Sequence, residues 1–165
     1  MPGTRTVDKE KFVVAFHAAV PSSAAPKWVS LRGYTHAQIV VSFLNATTVT
    51  GAAITLNQAT AVAGTSSKTL AFTVLWANLA DASSETLTQT TVTGNSYTLP
   101  STNSISGFIL IEVDADTLDL VNGFNSIQVG IGNATAQTIE SSYILGNEPR
   151  YSGGYNSFRN PLSDT

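Results

Sequence analysis

The sequence predicts an all-β domain of the antiparallel sandwich type, and three observations lead to that prediction. Its apolar segments are short and alternate with polar residues at a period of two, as half-buried strands do. Turn-forming residues separate these segments at regular intervals, while helical periodicity is nearly absent. Serine and threonine supply about a quarter of the chain, and the β-branched threonine suits the outward face of a strand.

Eight to nine strands account for the alternating segments, and an eight-stranded jelly roll is the preferred topology. Residues 108–113 are apolar on both sides and are expected to form a central strand, whereas the threonine-rich run 85–93 is typical of an edge. Residues 114–120 predict a single helical turn that ends near Gly123. One strand is predicted to present a single core face made of Leu70, Phe72, Val74 and Trp76. The other predicted strands are 12–16, 28–31, 37–43, 54–57, 126–131 and 139–145.

The chain divides into an N-terminal arm (1–11), a β-sandwich domain (12–145) and a C-terminal arm (146–165). The prolines and glycines of the C-terminal arm exclude regular structure, yet the arm contains residue types in which interface cores are enriched. We therefore predict that it docks on a sister subunit or a larger assembly; the alternative is a strap across its own sandwich. The residues concerned are Arg150, Tyr151, Tyr155, Phe158 and Arg159.

Charge and composition exclude several classes of function. The net charge is -3, and the eight lysines and arginines form no basic patch, which argues against binding to nucleic acid. Without cysteine the chain has neither disulfides nor thiolate metal sites. No apolar run approaches the ~20 residues of a membrane helix. No signal peptide is recognised, so synthesis in a host cytoplasm is expected.

No catalytic or cofactor-binding motif emerges, so a non-enzymatic protein without a cofactor is expected. His17 and His36 have no nucleophile or carboxylate near them in a catalytic pattern. An acidic cluster beginning at Glu112 offers candidate calcium ligands, but its spacing departs from an EF-hand loop, so ordinary turn residues are the favoured interpretation and no metal is expected. The candidate calcium ligands are Asp114, Asp116 and Asp119.

Two aromatic residues suggest an alternative role in binding glycans. Trp28 with Tyr34 is the candidate stacking platform for a sugar ring, whereas Trp76 is predicted to pack in the core. The alternative function is therefore a glycan- or receptor-binding module on a virion or cell surface.

Four stretches carry a resemblance to a known class of protein: 26–34, 56–65, 111–127 and 143–151. With its acidic, cysteine-free and threonine-rich composition, the chain resembles the capsid decoration, or cement, proteins of tailed bacteriophages over most of residues 12–151. The resemblance implies a small β-sandwich on the outside of a virion capsid, bound to the major capsid protein as a dimer or trimer. It implies no catalytic or ligand-binding residue.

Overall fold

Two packed antiparallel sheets make up the part of the chain that the structure describes. The structure is a computed structural model that describes residues 10–21, 25–79 and 86–146. Its strands are β1 (Glu10–Ala19), β2 (Val29–Ser30), β3 (His36–Thr50), β4 (Ala53–Ala59), β5 (Lys68–Leu70), β6 (Val74–Asn78), β7 (Thr88–Thr91), β8 (Ser96–Thr98), β9 (Ser106–Asp114), β10 (Ser126–Ile131) and β11 (Thr135–Gly146). The six-stranded sheet has the order β1-β11-β3-β9-β6-β7, and the five-stranded sheet has the order β2-β10-β4-β5, with β8 beside β4.

The pairing of the strands is that of a jelly roll, in which a long antiparallel ribbon is rolled into two sheets. β1 pairs with β11, β2 with β10, β3 with β9 and β4 with β5, so the two halves of the chain run alongside each other. Successive pairs alternate between the two sheets, which closes the sandwich. β6, β7 and β8 are inserted between β5 and β9 and extend the sheet edges. The predicted all-β sandwich is confirmed.

The described chain has eleven strands, two more than the upper limit of the prediction. The predicted strand with its core face from Leu70 to Trp76 is in fact two strands, β5 and β6, because the chain crosses between the sheets at residues 71–73. β8 was not predicted because Ser96–Thr98 offers a single large apolar residue, Tyr97, and no visible alternation. The outermost strands start at Glu10 and end at Gly146, slightly outside the predicted limits of the sandwich.

The core lies between the sheets and is built from the alternate residues of each long strand. Ile39, Val41 and Phe43 of β3 face Ile54 and Leu56 of β4 across it, all buried. Removing apolar surface from water stabilises a fold by ~25 cal/mol per Å², so the burial of these side chains is the main favourable term in folding. The jelly roll is therefore a rigid platform for whatever its outer faces carry.

The prediction that Val74 and Trp76 share a core face with Leu70 and Phe72 is wrong. Leu70 and Phe72 are buried, but in β6 the buried residues are Leu75 and Ala77. The alternation changes phase because residues 71–73 lead from the five-stranded to the six-stranded sheet. Val74 and Trp76 consequently point away from the core.

The predicted helical turn after β9 is present as two short 3-10 turns, Ala115–Thr117 and Leu120–Asn122. The second turn ends at Gly123, whose φ of 79° is a left-handed conformation that glycine adopts at little cost. Within the described ranges, no helix is long and apolar enough to cross a membrane.

A buried polar network closes one end of the sandwich. The Gln137 side chain on β11 accepts a hydrogen bond from the Ala52 N–H at 2.8 Å and donates to Asn45 Oδ1 at 2.8 Å and to the Pro100 carbonyl at 3.1 Å. Asn45 on β3 in turn donates to the carbonyls of Pro100 and Thr102 at 2.9 and 2.8 Å. Both side chains are buried, so the network joins the loop before β9 to the ends of two inner strands of the six-stranded sheet, β3 and β11.

Tyr143 on β11 links the two sheets through its hydroxyl group. The hydroxyl accepts a hydrogen bond from the Val129 N–H of β10 and donates one to the Lys27 carbonyl, each at 2.9 Å. Burial raises the pKa of this phenol well above its ordinary value, and the hydrogen bond from Val129 offsets part of the effect. The ring is fully buried, so the hydroxyl reaches across the core to the opposite sheet.

Replacing Tyr143 by phenylalanine is expected to lower the free energy of unfolding by about 1–3 kcal/mol, because the Val129 N–H and the Lys27 carbonyl lose a partner inside the protein. Urea denaturation of the two proteins measures the difference. Tyr97→Phe is the control, since Tyr97 is only half-buried. A cost for Tyr143→Phe no greater than that of the control would contradict the role assigned to the hydroxyl.

Ser141, also on β11, gives a prediction of opposite sign. Its side chain is buried, and its Oγ has no hydrogen-bond partner in the described part of the protein. A buried hydroxyl without a partner destabilises a fold, so Ser141→Ala is expected to raise the free energy of unfolding by about 0.5–1 kcal/mol. The measurement is the urea midpoint, with the exposed Ser104→Ala, outside the strands, as control. A lowered midpoint would show that Ser141 Oγ has a partner after all.

Candidate functional site

The outer face of the six-stranded sheet is the main unpartnered surface of the described protein. Strand residues alternate between the two faces, so those between the core positions of β1, β11, β3, β9 and β6 point outward. We call this surface the apolar face. Its apolar members are Phe12, Val14, Val40, Leu44, Val74, Trp76, Phe108, Leu110 and Ile144.

Cross-strand register places these side chains in continuous rows. One row runs from Val14 through Ser142, Val40 and Leu110 to Trp76, with each residue opposite the next on the neighbouring strand. Directly opposed residues have β-carbons about 4.5–5.5 Å apart, so their side chains touch. The row therefore forms a strip across five strands that is apolar except at Ser142.

Exposure is greatest towards the rim of the apolar face. Phe12 and Leu44 are 64% and 58% exposed, whereas Val40, Leu110 and Trp76 in the middle are half-buried by their neighbours. Single exposed apolar residues are normal on a protein surface, but a contiguous patch of this kind is a candidate interaction site.

Apart from histidine, the charged residues of the apolar face are acidic. Glu112 and Glu140 point outward, and no lysine or arginine occupies an outward position on the described strands of this sheet. Gln38 Nε2 donates to Glu112 Oε1 at 3.3 Å, and at the rim His36 Nδ1 lies 3.2 Å from Asp114 Oδ1. The face therefore has uncompensated negative charge beside its apolar strip.

The outer face of the five-stranded sheet differs in every respect. Its described outward positions hold hydroxyl, amide or small side chains and no charged group: Ser30, Ala53, Thr55, Asn57, Thr69, Ser96, Thr98, Ser126, Gln128 and Gly130. Ser126 and Gln128 are buried, but Thr69, Ser96 and Thr98 are exposed, and their hydroxyl groups stay hydrated at little cost. The two sides of the sandwich are therefore suited to different roles.

The two histidines lie apart on β1 and β3. His17 is exposed, and the cross-strand register of β3 and β9 brings His36 beside Asp114, a neighbour that the linear sequence does not reveal. The Asp114 side chain is 67% exposed, so this is a solvent-facing ion pair when the histidine is protonated.

The three candidate calcium ligands lie along the connection from β9 to β10. Asp114 pairs with His36, Asp116 is exposed in the first 3-10 turn, and Asp119 binds the ammonium of Lys68 and the amide of Asn122. The bond to Lys68, followed by that to Asn122, holds the pKa of Asp119 below its ordinary value. Within residues 10–21, 25–79 and 86–146, no group of three or more histidines and acidic residues could hold a metal ion.

The aromatic pair considered for sugar binding is engaged in packing. The Trp28 indole lies against the turn at Gly64, where a β-carbon would come within 2.8 Å of its Nε1 atom, and Tyr34 packs on the core. Trp76, by contrast, lies on the open apolar face beside Leu110 and Gln89.

The predicted docking residues of the C-terminal arm, Arg150, Tyr151, Tyr155, Phe158 and Arg159, lie outside the described residues. Their role stays a prediction.

Comparisons with known proteins add little to these observations. No protein-family model and no curated protein matches this sequence. Among solved structures, the chain is similar to SPBc2 prophage-derived protein YomS, with 10% sequence identity and a TM-score of 0.43 over 83% of this chain and 93% of that one. Function is therefore derived from this chain's own residues.

Sequence reasoning did not identify the apolar face, although two signals for it are visible. Val40 is an apolar residue between the polar outward residues Gln38 and Ser42 of β3. Phe108 and Leu110 make β9 apolar on both of its sides. Both patterns indicate either a second covering layer or a docking surface.

Proposed function

We propose that this protein is a non-enzymatic virion structural protein that decorates the outside of a phage capsid and adheres through its apolar face. The observation that carries the proposal is the strip of side chains across five strands, from Val14 to Trp76, on one side of a rigid jelly roll. The partner is the major capsid protein, and the location is the surface of the virion.

The dimensions of the apolar face suit a protein–protein contact. Six strands spaced about 4.8 Å apart, and about eight residues of about 3.4 Å each, give a footprint near 24 by 27 Å, or roughly 650 Å² before side-chain relief is counted. A standard interface buries about 800 Å² on each partner. One copy therefore offers a single contact of ordinary size.

Electrostatics specify the surface on which this face would dock. Glu112 and Glu140 have no lysine or arginine neighbour on the described apolar face, so a partner with an apolar centre and a lysine- or arginine-bearing rim is complementary. Only 12% of all residues are charged, which keeps the desolvation cost of such a contact low. Repetition over a shell of identical sites adds avidity, above all if the protein is a dimer or trimer.

Binding to undecorated capsids tests the proposal. The protein is mixed with capsids of its own phage that lack accessory proteins, and the pellet after sedimentation is examined by electron microscopy. Saturation at a fixed ratio of protein to capsid subunits is expected, while capsids of an unrelated phage serve as control. Light scattering of the free protein reports whether it is a dimer or trimer. A protein that is monomeric and stays in the supernatant would overturn the proposal.

Trp76 favours one alternative, a glycan- or receptor-binding role on a virion or cell surface. It lies on the open apolar face beside Gln89. An aromatic ring can stack on a sugar ring, and a neighbouring amide can form hydrogen bonds with the sugar hydroxyl groups. Binding on a glycan array that is lost in Trp76→Ala and retained in Trp28→Ala would support this alternative.

A further inference from the structure

We propose that the C-terminal segment 147–165 folds back over the apolar face of its own chain and covers it until the face meets its partner. The intramolecular contact stands on its own, whereas its displacement by a capsid rests on the proposed function. The position, the length and the chemistry of the segment each favour it as the occupant of this face.

The segment begins at the rim of the apolar face. β11, which ends at Gly146, lies between β1 and β3 in the six-stranded sheet. Ile144, two residues before that end, is opposite Phe12 on one side and Gln38 on the other, all on the apolar face. The described chain therefore ends two residues after Ile144 on the apolar face, and four residues after Ser142 in the strip that the segment would cover.

The segment is long enough to cross the whole sheet. Six strands spaced about 4.8 Å apart make the sheet about 24 Å wide. At about 3.3 Å per extended residue, about eight residues span that distance. Residues 147–165 exceed this requirement even after a reversal of direction, for which Gly153 and Gly154 are suited.

The chemistry of the segment matches the apolar face. Its aromatic side chains suit the strip of Val40, Leu110 and Trp76. Its two arginines suit Glu112 and Glu140, which have no lysine or arginine neighbour on the described apolar face. An arginine can also stack on the half-buried indole of Trp76. The segment residues concerned are Arg150, Tyr151, Tyr155, Phe158 and Arg159.

Covalent attachment favours the segment of the same chain over that of a second copy. A segment joined covalently to the face acts at an effective concentration in the millimolar range, far above the concentration of free protein. A capsid that presents many sites at once competes by avidity, which a single free partner lacks. The segment would thus keep the acidic, apolar surface from associating before assembly.

Tryptophan fluorescence tests the contact in the full-length chain. In a Trp28→Phe background, Trp76 is the only tryptophan and reports directly on the apolar face. Replacing Tyr151, Tyr155 and Phe158 together by serine is expected to shift its emission to the red and to increase its quenching by acrylamide. A synthetic peptide of residues 147–165, added at about millimolar concentration, should reverse both changes.

The matched control uses the other tryptophan. In a Trp76→Phe background, Trp28 reports on the turn at Gly64 instead, so the same three serine substitutions should leave its emission and quenching unchanged. A change at Trp28 as large as that at Trp76 would indicate a general loss of structure, which would overturn the inference.

Charge reversal tests the ionic part of the contact. Changing Arg150 and Arg159 to glutamate should expose Trp76, and adding Glu112→Arg with Glu140→Arg should restore its protection. Quenching that is identical in all variants would overturn the inference. Protection that disappears on dilution would also overturn it, because a neighbouring copy would then supply the segment. Capsid sedimentation is a separate readout, so either proposal can fail while the other stands.

Discussion

Replacing Gln137 by leucine is expected to lower the free energy of unfolding by about 3–5 kcal/mol, the largest loss of stability that we predict. Leucine has a similar size but no polar atoms, so the Ala52 N–H and Asn45 Oδ1 would stay buried without the partner that Gln137 provides. Each orphaned buried group costs about 1–3 kcal/mol. The Pro100 carbonyl keeps its bond from Asn45 and adds little.

Gln38 offers a matched control for this substitution. It lies on β3 on the outside of the same sheet, and its amide donates to the exposed Glu112. Gln38→Leu makes the same chemical change where water can replace the lost bond, so a difference of about 0.5 kcal/mol or less is expected. Urea denaturation measures both variants. Equal costs would show that the buried network contributes nothing beyond an ordinary surface contact.

Replacing Leu110 by lysine is expected to abolish stoichiometric binding to capsids while the fold survives. Leu110 lies in the middle of the apolar strip, between Val40 and Trp76. A lysine there would have to be desolvated in the centre of the contact, where truncations typically cost 2 kcal/mol or more. That is a loss of about 30-fold for a single contact, and it is multiplied when several contacts act together.

Thr69→Lys provides the control for this second prediction. It makes the same change of charge on the outer face of the five-stranded sheet, which is expected to stay hydrated. Capsid sedimentation should be unchanged for Thr69→Lys and lost for Leu110→Lys, with similar urea midpoints for both. Full binding by Leu110→Lys would mean that another surface of the protein binds the capsid. Loss of binding by both variants would indicate that the added positive charge abolishes binding wherever it is placed, and that the apolar face has no special role.

Much of the fold was predictable from local pattern. The alternation in β3, β4 and β10 depends only on whether neighbouring side chains are apolar, and a pleated strand turns that period of two into a core side and an outer side. The turn after β9 was predictable because Gly123 adopts a conformation that other residues reach only with strain.

The candidate site was predictable only in part. The sequence contains Trp76, Val40 and Leu110, but their arrangement in one row depends on pairing between segments far apart in the chain. The approach of His36 to Asp114 has the same origin. Trp76 was misplaced because the chain changes sheet just before β6, and such a crossing leaves no mark on hydrophobic periodicity.

The sequence by itself therefore determined the class of the fold, a two-layer β structure with low charge, because strand formation responds to alternation within a few residues. Only the tertiary structure decided which outward side chains lie side by side. That depends on strand order and register, which bring β1, β11, β3, β9 and β6 together across large separations in sequence. The apolar, acidic face arises at this level, since a surface exists only once the strands that compose it have paired.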